Sequence, residues 1–195
     1  AQYLKDKFVQ RALLIVLEPR SEAIFHNDSF AYRPGRSVAM ALEKVRERVR
    51  VGQAWLVDAD ISKFFDTIPH RQLVKVLKGF INDSPAMRLI EKWLSQGAHH
   101  RSLLRSPRGI SQGAILSPLF CNLYLHTFDM AMTNANIPFV RFADDFLLFS
   151  EAKQDAVKAR RFAREVLEDL GRGTHPAASR MAPGGASVTF SGGRL

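Results

Sequence analysis

Two adjacent carboxylates stand inside an apolar run, FVRFADDFLLFS, Phe139 to Ser150. No other stretch limits the fold as much. Removing one unpaired carboxylate from water is costly, and a second beside it adds like-charge repulsion. A chain accepts that cost where a cation occupies the site, so Asp144 and Asp145 point to a bound metal ion. The flanking apolar residues read as two strands of a hairpin, with Ala143-Asp144-Asp145 near its turn. A pair of aspartates is often only a solvated cap in a turn, but FVRF and FLLF favour burial.

A second acidic segment can meet the first. AWLVDADI is a short apolar strand candidate. Alternation puts Asp58 and Asp60 on one of its faces. A strand-end aspartate beside an aspartate pair on a neighbouring hairpin can hold two magnesium ions, a hard cation suited to oxygen ligands shared with substrate phosphates. Such a pair of ions serves in-line displacement at phosphorus. A third segment, SQGAILSP, is a glycine-containing turn leading into a capped helix.

Around these segments the spacing predicts several helices. One runs through YLKDKFVQRALLIVLEP, with Val9, Ala12, Leu13, Val16 and Leu17 inward, and stops at Pro19. Ser37 caps a second, with Val38, Ala41, Leu42, Val45 and Val49 inward and Gly52 at its end. His70 to Phe80 forms a third, with Leu73, Val74 and Leu77 on one side. Ser84-Pro85 opens a fourth, through Leu89, Ile90, Trp93 and Leu94 to Gly97. Ser117-Pro118 opens a fifth, reaching about Met132. Ser150 caps an amphipathic sixth ending at Leu170-Gly171, with Ala156, Ala159, Ala163, Val166, Leu167 and Leu170 inward. HHRSLLRSPRG reads as a basic strand-and-turn region. The Gly- and Pro-rich tail reads as loop with one short strand, ASVTF. Helices and strands without regular alternation favour an α+β class.

Composition narrows the partners. The 28 Lys and Arg exceed the 19 Asp and Glu, a formal charge of +9 in 195 residues, which suits a polyanion, nucleic acid first and an anionic membrane surface second. A basic solvated surface is the plainer alternative. The single cysteine, Cys121, supports neither a disulfide framework nor a zinc site and fits a reducing compartment. No apolar run is long enough to span a membrane. His26, His70, His99 and His100 show no metal-ligand spacing, and Trp55 and Trp93 read as core.

In order and spacing, these segments resemble the reverse transcriptases, above all those of group II introns and their bacterial relatives. DKFVQRALLIVLEP resembles the early fingers helix, SFAYRPGRS the YGFRPGRS-type motif, and DADISKFFDTIPH the first palm motif. SQGAILSPLFCNLYL resembles the PQG…LSP motif. FVRFADDFLLF resembles the YADD box, with Phe142 in place of tyrosine.

The resemblance implies a right-hand polymerase fingers and palm, the palm an antiparallel sheet packed on helices. It implies a fingers-like segment over 1–53 and a palm over 54–195 with a fingers insertion near 71–110, a single domain truncated at both ends with the thumb absent. It implies RNA-directed DNA polymerase activity, with two Mg2+ ions, or Mn2+ in their place, held by Asp60, Asp144, Asp145 and the Ile61 backbone carbonyl. Asp60 is preferred over Asp58 because it precedes Ile-Ser-Lys-Phe-Phe at the family spacing. Phe65 matches the steric gate against a 2′-hydroxyl; the alternative is a core phenylalanine, since Phe64 must be core if Phe65 is not. Gln112 would line the nucleotide pocket, Ala143 would admit the primer end, and Lys7 and Arg11 would contact the triphosphate. Arg33 and Arg36 would meet template phosphates or cap nearby carbonyls.

Implied partners are an RNA template, a DNA or RNA primer, deoxynucleoside triphosphates, and a chain or domain supplying the thumb, with no membrane. The implied location is the bacterial cytoplasm, with an organelle as the alternative. Three positions depart from the family pattern: Ala178 stands for a lysine, Ser191 for an apolar residue in the primer-grip segment, and Ser111 for a proline. The truncation, Ala178 and the FSGG segment motivate a competing expectation, a non-catalytic, maturase-like or structural nucleic-acid binder. A CRISPR-associated or phage-defence reverse transcriptase is a further one.

Overall fold

The computed structural model describes residues 2–61, 63–97, 107–171, 176–183, 189–190 and 193–194, with side chains described over 4–61, 63–96 and 107–171. Of the expected basic region at 99–109, residues 99–106 lie outside them, as does Ser191. The chain divides into two compact units, each made of two stretches: Ala1–Phe25 with Lys63–Tyr124, and His26–Ser62 with Leu125–Leu195.

The second unit is built on a four-stranded sheet in the order β2-β3-β1-β4. Strand β1 is Trp55–Ile61, β2 is Phe139–Phe142, β3 is Asp145–Ser150 and β4 is Pro176–Pro183. The three pairings, β1 with β3, β1 with β4 and β2 with β3, are all antiparallel. β1 is therefore central, and its side chains alternate between buried and half-buried from Val57 onward, as one covered face requires. Helix α2, Val38–Arg50, starts at Ser37, whose side chain accepts from the Met40 N–H. Its Ala41 and Val45 pack with Phe30, Leu56, Val140, Leu147 and Phe149 in one apolar cluster. Helix α7, Lys153–Leu170, lays Ala156, Ala159, Ala163 and Leu167 inward.

The first unit holds helix α1, Gln2–Glu22, the single-turn α3, Phe64–Thr67, and helices α4, His70–Phe80, and α5, Ser84–Gly97. Leu73, Leu77, Ile81, Met87, Ile90 and Leu94 form its buried side. Helix α6, Ser117–Asn134, contributes its first half to this unit and its second half to the other. It is apolar on nearly every side: Leu119, Phe120, Leu123, Tyr124, Leu125, Phe128 and Met132 are all buried. An all-round apolar helix is a core helix.

Several expectations are corrected. Pro19 does not stop α1, which continues to Glu22 with the proline inside it. Interior proline removes a backbone donor and normally breaks a helix. Here the last turn is held by side chains: Ser21 Oγ donates to the Glu18 carbonyl, and Arg20 donates to the Phe80 carbonyl while lying over that ring. The inward face of α1 also differs. Val9 and Val16 are exposed, as are Leu4, Phe8 and Ile15, while Leu17 and Ser21 are buried. Apolar and charged residues are both spread around the helix, so periodicity could not choose a face.

At the start of α5, Asp83 rather than Ser84 supplies the cap: its Oδ1 accepts from the Ala86 N–H at 2.6 Å. Ser150 ends β3, and α7 starts after Ala152 with no side-chain cap bond. Trp55 and Trp93 are half-buried rather than core. The tail forms a full strand, β4, where loop was expected, besides the short pair β5, Thr189–Phe190, and β6, Gly193–Arg194. Pro-Ala-Ala-Ser has little strand propensity of its own; the open edge of β1 recruits it.

Candidate functional site

Strand register brings the carboxylates together. Asp60 lies directly opposite Asp145 across the β1–β3 ladder. The β2–β3 hairpin closes with Phe142 opposite Asp145, leaving only Ala143 and Asp144 in the turn. Ala143 takes a φ of +59°, a left-handed conformation that normally favours glycine at this point of a hairpin. Ile61 N–H donates to the Asp144 carbonyl at 3.3 Å, tying the turn to the end of β1. All three aspartates are half-buried, whereas Ala143 and Ile61 are buried.

The charges act on each other. Burial, then the Asp145 carboxylate, pushes the Asp60 carboxyl above its usual range, against a hydrogen bond from Ile61. Burial also raises Asp144. Its own backbone N–H opposes this, the charges of Asp60 and Asp145 add to it, and Arg141 opposes it. Among the described residues, no group of three or more His, Cys, Asp and Glu is arranged to hold a metal ion by itself. The donor set nevertheless suits magnesium, which takes one or two carboxylates and completes its shell with water and substrate phosphate rather than a closed protein cage. Asp58, two residues before Asp60, pairs in register with Leu147 and Arg180.

The remaining candidates on the first unit fall into two groups. Lys7 and Gln112 line one cavity of about 410 Å³, together with Gln10, Trp93, Gly113 and Phe120. The Gln112 loop is fastened on three sides. Gln10 Oε1 accepts from the Ile115 N–H, Ser117 Oγ donates to the Ser111 carbonyl, and Gln112 Nε2 donates to Asp66 Oδ1 at 3.4 Å. Phe65 and Arg11 are not among the residues lining that cavity. Phe64 is fully buried while Phe65 is half-exposed, with the two rings edge to face. The Phe65 carbonyl accepts from the Ile110 N–H at 2.7 Å. Arg11 lies exposed on α1.

On the second unit, both arginines of the RPGR motif find carbonyls. Arg33 is buried, and its Nη1 donates to the carbonyls of His26 and Ser29. Arg36 donates to the carbonyl and side chain of Asn27 and lies over the Phe30 ring.

Sequence reasoning missed what stands behind the hairpin. Arg141 and Asp129 are both fully buried and ion-paired at 2.7 Å. The signal was present: one lone cation in an apolar strand and one lone anion in an apolar helix, LHTFDMAM. Each is expensive alone and affordable only with the other.

Comparison with known proteins identifies the family. The profile of the family "reverse transcriptase (RNA-dependent DNA polymerase)" matches residues 3–182. Protein YkfC of Escherichia coli (strain K12) is 37% identical over 131 residues, 65% of this chain and 34% of that protein. Group II intron-encoded protein LtrA of Lactococcus lactis subsp. cremoris is 35% identical over 141 residues, 70% of this chain and 23% of that protein. The chain thus spans about a third or less of these relatives' lengths. Among solved structures, telomerase from Candida albicans, in complex with a fragment of telomeric RNA, matches 98% of this chain and 36% of its own. The TM-score is 0.64 at 16% identity, a likeness of fold. Among the described residues no helix is long and apolar enough to cross a membrane. With the motifs in order and the profile running through nearly the whole chain, the protein belongs to the reverse transcriptase family, as a group II intron-like member with the α+β fingers and palm fold.

Proposed function

We propose that this chain carries the synthetic centre of an RNA-directed DNA polymerase, extending a primer 3′-hydroxyl with deoxynucleotides along an RNA template. The observation that carries the proposal is the Asp60–Asp145 cross-strand pair with Asp144 on the adjoining turn. Three carboxylates, two of them raised by burial and by a neighbouring carboxylate's charge, form a site that a cation relieves.

In this reading Asp60, Asp144 and Asp145, with the Ile61 carbonyl, hold the divalent ions. Two magnesium ions, or manganese in their place, supply charge stabilisation for the attacking and leaving oxygens at the α-phosphate. Lys7 and Gln112, in their shared cavity, contact the incoming nucleotide, and Arg11 meets its phosphates from the surface of α1. Phe65 presents its half-exposed ring to the sugar and rejects a 2′-hydroxyl. Ala143, small and held in a tight turn, leaves room for the primer end. Arg33 and Arg36 shape the loop under the template rather than contacting its phosphates, since both guanidiniums have carbonyl partners. The template, primer and any chain supplying a thumb belong to the same proposal.

The test is primer extension on an annealed RNA template with magnesium and deoxynucleotides, comparing the wild type with Asp144→Asn. Extension by the wild type alone supports the proposal. Equal extension by both overturns the assignment of the carboxylates. No extension by either, with the duplex still bound, replaces synthesis with nucleic-acid binding as the function.

A further inference from the structure

We propose that Arg141 is a positioning residue for the carboxylate turn: its buried guanidinium holds the Ala143 carbonyl, and thereby the left-handed turn that carries Asp144 and Asp145. The inference deepens the polymerase reading and rests on it for its catalytic consequence.

Among the described residues, Arg141 heads the largest fully buried side chains. Four hydrogen bonds from its guanidinium define its place. Nε donates to Asp129 Oδ1 and Nη2 to Asp129 Oδ2, each at 2.7 Å. Nη2 also donates to Ser29 Oγ at 2.7 Å, and Nη1 donates to the Ala143 carbonyl at 2.8 Å. The fork pairs with the carboxylate through two nitrogens, while the third nitrogen holds the turn. Its backbone is held as well: Arg141 N–H donates to the Asp28 carbonyl and its carbonyl accepts from the Phe30 N–H. Asp28 is in turn ion-paired to Arg48 of α2. The turn thus has one rigid backing made of β2, the Asp28–Phe30 segment and α6.

Stability alone does not account for such a pair. Removing two charges from water costs several kcal/mol per ion, and well-packed apolar residues in their place are often no less stable. An apolar side chain has no donor for the Ala143 carbonyl. Arginine supplies a planar set of donors at fixed angles, which lysine lacks. The carbonyl it fixes belongs to a residue at φ +59°, a conformation that persists only when its surroundings over-determine it. Ala143 immediately precedes Asp144, whose own carbonyl is bonded to the Ile61 N–H. A shift at the first carbonyl therefore reaches the second.

Ile61 offers a readout independent of catalysis. In Arg141→Lys, amide exchange at Ile61 is expected to quicken by about 10-fold while the Val57 amide within β1 keeps its protection. In the same variant kcat for primer extension falls by about 100-fold, with KM for the deoxynucleotide nearly unchanged. A merely structural pair predicts even acceleration along β1 and β3. That result, or unchanged exchange at Ile61 in a folded variant, overturns the proposal. If Arg141→Lys does not fold, the double variant Arg141→Met with Asp129→Leu decides. It replaces the ion pair with apolar packing and leaves the Ala143 carbonyl without its guanidinium donor, so faster exchange at Ile61 supports the proposal and unchanged exchange overturns it. A wild type that extends no primer defeats the polymerase reading, while the exchange comparison still decides the positioning role.

Discussion

Three carboxylates gathered at one end of a sheet put the metal-free fold under electrostatic load. The Asp60 and Asp144 carboxyls lie above their ordinary value of 3.8, so the folded state holds their protons to higher pH than the unfolded chain does. Their contribution to stability is complete below 3.8 and is lost as pH rises through the raised values. Asp144→Asn removes a charge that repels Asp60 and Asp145, and its Tm at pH 7 without divalent ions should exceed that of the wild type by a few degrees. Thermal melts with and without magnesium check this: the ion should stabilise the wild type more than the variant, and the difference should shrink as the pH is lowered and the carboxyls protonate. At Ala143 the constraint is steric. Ala143→Val puts a branched side chain at φ +59° and should cost about 2 kcal/mol or more by denaturant titration, whereas Ala143→Gly should stay within about 1 kcal/mol of the wild type.

At the scale of elements, the readable parts of the fold are those whose information is local. The N-cap of α2 at Ser37, the alternation in β1 and the apolar hairpin around Ala143-Asp144 all carry their signal within a few residues. The carboxylates were legible for the same reason: acids inside apolar strands stand out. Strand β4 was not legible, since Pro176–Pro183 is extended only because β1 has an open edge for it. Nor was the inward face of α1, where the apolar residues circle the axis. Arg141 with Asp129 went unseen because each is explained only by the other. Two measurements separate these cases. Ser37→Ala should cost about 1 kcal/mol through loss of a cap, while Ser150→Ala, which ends a strand, should not show that cap loss. On α1, Leu17→Ala should cost about 2–5 kcal/mol and the exposed Val16→Ala no more than about 0.5 kcal/mol, both by denaturant titration.

For the molecule as a whole, the excess of cations over anions favours a polyanionic partner. Binding to an RNA–DNA duplex should weaken steeply as salt rises, and the slope of log affinity against log salt should be the same for Asp144→Asn, because an aspartate neutralises no phosphate. Filter binding across a salt series checks this. Equal slopes beside unequal extension would separate holding the duplex from acting on it.

The interleaving of the two units governs the order in which the protein can be made. Asp60 lies on β1, yet its partner Asp145 lies on β3, with the whole second stretch of the other unit between them in the chain. On a ribosome β1 therefore emerges long before either neighbour, with both hydrogen-bonding edges bare. Pairing across so long a separation is slow, and bare edges invite misassembly while they wait. The pairing of Asp60 with Asp145 is among the last contacts to form. A nascent chain interrupted before Phe139 would own one of the three aspartates and a strand that any other edge could claim.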